Sequence, residues 1–201
     1  MRRLALVEKA AMSLVPGRAR QGSTWFGRVG DVAQQPPVWG ALAGVLAVGG
    51  GPRGRRAAGR GAVCYGVAAI VANLVIKPLV GRSRPPRSGA GRLGPVTSSF
   101  PSGHTATDVA FSLGVAQEIP LLLIPLTVAT VAAHWSMVRS RGHYPSDVLG
   151  GGVVGIVVAA VAWKIWPPSG RADDNAPSGS GPEDAHEHKE SESQDGSPAE
   201  G

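Results

Sequence analysis

The sequence predicts an all-α fold, a polytopic membrane helical bundle of about five spans followed by a disordered C-terminal tail. Three observations carry this expectation. Apolar residues are gathered into long runs almost free of charge, whereas a soluble helix or strand alternates them with polar residues. Glycine is abundant, at 29 of 201 residues, while aromatics make up only 5%; that balance suits helices packed closely in lipid, where small residues let backbones approach. Polar residues are concentrated in the first thirty-odd positions, in the connections between apolar runs, and after Pro167.

Taken in order, residues 1–31 read as a basic amphipathic segment. Glu8 and Lys9 interrupt its apolar residues too early for a secretory signal, so a helix lying at the membrane interface fits better. Residues 32–166 form the membrane-embedded domain, with spans at 32–51, 61–79, 104–117, 119–138 and 148–166. Several are shorter than the ~20 residues of a straight crossing. The third is the least apolar, since it carries Asp108 and ends at Gln117 and Glu118. Its neighbour argues for it, because Pro120 turns the chain straight into another apolar run and makes a helical hairpin. Gly40 with Gly44, and Gly151 with Gly155, have the four-residue spacing of small-residue helix contacts. Residues 167–201 are rich in Pro, Gly, Ser, Asp, Glu and His, so they cannot offset their ordering entropy by burial and are expected to form a disordered acidic tail. His186 and His188 lie in that solvated tract and are not expected to hold a metal.

The net charge of +6 does not point to nucleic acid, because the arginines are dispersed over short inter-helix segments and form no stripe. The single cysteine, Cys64, excludes an internal disulfide and a cysteine-based zinc site, and its apolar run makes it a small core residue. Counting crossings puts 81–100 and 139–146 on one face of the membrane, with 52–60 and the tail on the other. The segments on the shared face hold more Arg and His than solubility asks of a loop, so a site is expected there.

Three elements on that face carry chemistry. Lys77 ends a span and is followed, seven residues later, by Arg84-Pro85, so an ammonium and a guanidinium can converge on one anion. Pro101-Ser102-Gly103-His104 opens an apolar helix. Ser caps such a start, its N–H groups with Gly make an anion cradle, and His104 at the mouth can give a proton to a leaving oxygen. In Ser136 to Asp147, SMVRSRGHYPSD, Pro145 suits the first turn of the last helix. His143 then stands just before that helix and Asp147 within it, where the carboxylate can orient the imidazole as a nucleophile.

In order and spacing these elements resemble the type 2 phosphatidic acid phosphatase superfamily, with its Lys, six residues, Arg-Pro; Pro-Ser-Gly-His; and Ser-Arg, five residues, His, three residues, Asp. The likeness extends from Lys77 to Asp147 and, through the helix pattern, back to about Val32, with the N-terminus and tail outside it. It implies that Lys77, Arg84, Ser102 and the Gly103 N–H hold phosphoryl oxygens, that His143 attacks phosphorus with Asp147 orienting it, and that His104 protonates the leaving group and then activates water. It implies no cofactor and no metal. The substrate class would be a lipid phosphate or diphosphate held in the bilayer, polyprenyl or phosphatidate-like, and the location a bacterial cell membrane crossed several times. One position departs from the pattern. Met137 stands where the family has a second phosphate-binding arginine, and a thioether donates nothing to a phosphate oxygen. On a continuing helix Arg141, four residues on, shares the face of Met137 whereas Arg139 points away, so Arg141 is the expected replacement. Two other readings follow from the resemblance. One is a weak or inactive relative that binds lipid phosphates or partners. The other is a vanadium haloperoxidase with His143 as the vanadium ligand, against which the spans and short loops argue.

Overall fold

The computed structural model describes residues 8, 10–13, 15, 25–33, 35–84 and 98–168, which form helices and their connections with no strand among them. The tail after Pro168, with His186 and His188, most of the N-terminal segment and residues 85–97 lie outside the described residues. The helices are α1 (Trp25–Ala33), α2 (Pro36–Gly49), α3 (Gly51–Val80), α4 (Gly103–Glu118), α5 (Leu123–Arg139) and α6 (Pro145–Ile165).

Three helical segments are long and apolar enough to cross a membrane: the 30 residues of α3, the 20 of Pro120–Arg139 and the 21 of α6. Their outward faces carry exposed Val67, Ile70, Leu74, Ile124, Val131, Ile156 and Val157, as a lipid-facing surface requires. Helix α4 is different. Twelve of its 16 residues are buried, including Thr105, Thr107, Asp108 and Ser112, because α3, α5 and α6 surround it. That position explains why its sequence is the least lipid-like: it faces protein, where polar side chains find partners.

Small residues let α4 sit so deep. A Cβ added at Gly155 of α6 would lie 2.7 Å from the Ala106 carbonyl, and one at Gly61 of α3 would lie 2.8 Å from Val115. Gly151 likewise meets the Ser102 carbonyl and Thr105. The other sequence pair behaves otherwise: nothing lies within 4 Å of a Cβ at Gly40 or Gly44. Around α4 the core is built of Cys64, Ala68, Ala72, Ala106, Ala110 and Val158, with Trp39 set edge-on to Phe111 at 5.5 Å between centroids.

The expected loop at 52–60 is helix. Gly51 takes a left-handed φ of 61°, which breaks α2 from α3, and Pro52 occupies the first turn, where its missing N–H costs nothing. The arginines that read as loop are good helix formers. Arg60 is wholly buried: its Nε is 3.0 Å from Glu118 Oε1, one Nη 3.1 Å from Gln117 Oε1, and its guanidinium stacks 4.6 Å from the Trp166 ring. Arg53 also donates to the Glu118 carbonyl at 2.6 Å. This end of the bundle is thereby tied by one buried ion pair.

Candidate active site

At the other end, α3 widens into π geometry over Val71–Ile76 before closing as Lys77–Val80. Pro78 follows immediately and cannot donate to the helix, and the wider turn accommodates its ring. The widening places Asn73 one turn before Lys77, and the ammonium donates to the side-chain amide oxygen Oδ1 of Asn73 at 2.5 Å. Both groups press against the backbone of Gly103. A Cβ there would lie 2.6 Å from Asn73 Oδ1 and 3.2 Å from Lys77 Nζ. Gly103 is thus the residue that lets the lysine reach the start of α4.

Gly81, at φ 59°, ends α3 with its N–H on the Lys77 carbonyl. Ser99 N–H donates to the Arg82 carbonyl at 2.8 Å and Arg82 N–H to Ser98 Oγ at 2.9 Å, a clasp that fixes Arg84 over the last turn before α6. Arg84 Nη1 donates to the Gly142 carbonyl at 3.1 Å and stands 3.3 Å from His143 Nε2.

His143 is buried, with Nδ1 3.0 Å from the Ser99 carbonyl. A carbonyl only accepts and a guanidinium only donates, so the neutral ring carries its proton on Nδ1 and turns the Nε2 lone pair toward Arg84. Asp147 Oδ2 is 3.5 Å from Nδ1, farther than the carbonyl. The Asp147 carboxylate receives Tyr144 N–H at 2.9 Å as part of a capping box and Arg82 Nη1 at 3.0 Å. The tautomer therefore has a backbone partner beyond the carboxylate that the resemblance implied.

Ser102 is fully buried. Its Oγ accepts the Thr105 hydroxyl at 2.8 Å and caps the Thr105 N–H at 3.4 Å, while its own N–H donates to the Asp147 carbonyl at 2.9 Å. The expected phosphate contact of this hydroxyl thus competes with its role as a cap, and the last bond ties the start of α4 to that of α6. His104 is exposed in the first turn of α4, within electrostatic reach of His143, Lys77 and Arg84. The structure so brings Lys77, Arg84, Ser102, Gly103, His104, His143 and Asp147 to one end of the bundle.

The reason for preferring Arg141 fails. Helix α5 stops at Arg139, and Arg141 lies in the following turn at φ 56° with its side chain exposed, so it does not continue the face of Met137. Met137 and Arg139 are both buried. The sequence reading also missed Arg82. It bonds Asp147 and Ser146, pairs with Glu8, and lies 4.6 Å over the Tyr144 ring. Its position two residues before Arg84 was the available signal.

The family model of the PAP2 superfamily matches residues 61–171, more than half of the chain. The chain belongs to the PAP2 superfamily. PAP2 membership together with the membrane-length helices supports an integral membrane phosphatase. A solved structure described as that of the first transmembrane PAP2 type phosphatidylglycerolphosphate phosphatase, from Bacillus subtilis, is similar at 20% identity and a TM-score of 0.44, over 81% of this chain and 94% of that one. No curated protein matches the chain.

Proposed function

We propose that this PAP2 protein hydrolyses a lipid phosphate or diphosphate through a phosphohistidine on His143. The observation that carries the reading is the orientation of His143: its Nδ1 proton is held by the Ser99 carbonyl while its Nε2 lone pair faces the Arg84 guanidinium. An anion drawn to Arg84 and Lys77 would meet that lone pair. In the first step Nε2 forms a bond to phosphorus as the bond to the leaving oxygen breaks, and His104 gives that oxygen a proton. In the second, His104 takes a proton from water as the water oxygen attacks phosphohistidine and returns Nε2 to His143. Asp147 and the Ser99 carbonyl stabilise the positive ring between the two steps. Lys77, Arg84 and the N–H groups at the start of α4 neutralise the phosphoryl oxygens.

The lipid class rests on the surroundings. A groove of about 550 Å³ runs beside the site between α4, α5 and α6, lined by Val109, Val131, Trp135, Val148, Val153 and Ile156. An acyl or isoprenoid chain fits that lining while its phosphate lies at the helix ends. The test is phosphate release by detergent-solubilised protein from phosphatidate, phosphatidylglycerol phosphate and polyprenyl phosphates and diphosphates in EDTA, with His143→Ala beside it. Release that survives chelation and disappears in the variant is expected; release equal in both would sink the reading.

A further inference from the structure

One polar group of the bundle is used neither by the proposed chemistry nor by the far-end ion pair. Asp108 lies one helical turn below His104 on α4, and His134 faces it from α5; they are 2% and 4% exposed. Asp108 Oδ2 and His134 Nε2 are 3.5 Å apart, and neither atom makes a hydrogen bond of ordinary length. The other ring nitrogen, Nδ1, is 2.5 Å from the Thr130 carbonyl, which only accepts, so Nδ1 carries a proton. A neutral ring would then turn the Nε2 lone pair on a carboxylate oxygen, two acceptors facing each other away from water. One more proton between them removes the conflict, as carboxylic acid with imidazole or as carboxylate with imidazolium. Both forms are neutral as a pair. Ionisable side chains inside a membrane bundle are costly, and they generally serve function.

The pair sits where it can govern His104. The Thr107 hydroxyl, with one proton to give, stands 2.9 Å from the His104 carbonyl, 3.1 Å from the Gly103 carbonyl and 3.4 Å from Asp108 Oδ1, and the His134 ring lies beside the same His104 carbonyl. His104 begins α4, while His143 lies on the turn that follows α5. A bridge from α4 to α5 therefore sets the separation of the two imidazoles. We propose that Asp108 and His134, sharing one proton, are positioning residues that hold His104 in register with His143. This rests on the phosphohistidine reading above.

The experiment compares Asp108→Leu with Asp108→Asn, using p-nitrophenyl phosphate as probe and His143→Ala as control. Asparagine can donate to His134 Nε2, so it keeps the bridge without the charge; leucine cannot. The leucine variant should lose about tenfold or more in kcat, part of the ~10²–10⁴ that a positioned acid–base group contributes, with KM within about twofold, and the asparagine variant should recover most of the loss. A leucine variant that is merely less stable but turns over normally per folded molecule would overturn the proposal. Should the leucine variant not fold, ¹⁵N-histidine NMR of the native protein decides: a His134 Nε2 that carries the proton or accepts it in a hydrogen bond from Asp108 supports the bridge, and the shift of an Nε2 lone pair with no hydrogen bond overturns it. Wild-type turnover in His143→Ala would instead overturn the underlying reading, and with it the role given to His104.

Discussion

Both ends of this bundle bury charge, and they do so differently. At the end where α4 finishes, Arg60 meets Glu118, and the Gln117 amide oxygen and the Trp166 ring add further contacts to the guanidinium. At the end where α4 begins, Lys77 donates to the neutral Asn73 amide and Arg84 to a carbonyl and an imidazole, while Arg82 beside them pairs with Asp147 and Glu8. A matched pair ties helices together and leaves little field behind. An ammonium beside a neutral amide keeps its attraction for an anion, and His143, the nucleophile proposed above, lies at the same end of the bundle. The same residue types therefore act as a staple at one end and, in the function proposed, bind an anion at the other.

Substitutions should separate the two ends. The largest effect is expected from His143→Ala, a loss of roughly 10⁴-fold or more in kcat with an unchanged unfolding temperature, read by phosphate release and a thermal melt on the same preparation. At the other end, Arg60→Met should do the reverse. It leaves Glu118 buried without its partner and should cost about 3–5 kcal/mol of stability, with turnover per folded molecule retained. Adding Glu118→Leu should recover most of that loss; a double variant as unstable as the single would show that the ion pair is more than a staple. Arg84→Lys keeps the charge but loses the planar fork, and kcat should fall about 10²–10³-fold, the scale of one lost transition-state donor. Smallest, Gly155→Ala should destabilise by about 1–3 kcal/mol through overpacking against Ala106 and Val109, whereas Gly44→Ala, with open space around it, should stay within about 0.5 kcal/mol.

The comparison also shows what a single sequence can reveal. The apolar runs predicted the helices because lipid imposes a long uncharged stretch on every outer helix, and α3, α5 and α6 meet that demand. Helix α4 was hard to read alone because protein surrounds it, so the bilayer does not constrain its composition. The stretch 52–60 read as loop because its arginines suggest water. The partner that allows Arg60 to be buried, Glu118, lies 58 residues away. Lys77, Arg84, His104, His143 and Asp147 were legible because side-chain chemistry at fixed spacing is written in the sequence. The Ser99 carbonyl was not, since a backbone acceptor can belong to any residue, and the helical argument for Arg141 did not hold because α5 ends at Arg139, two residues short of it.

The central claim is that His143 becomes covalently phosphorylated, and rapid quenching of the enzyme with a ³²P-labelled lipid phosphate tests it most directly. The account predicts label on the peptide containing His143, stable to alkali and lost in acid, absent from His143→Ala. Full turnover with no labelled protein at any quench time, or label carried by another residue, would contradict it.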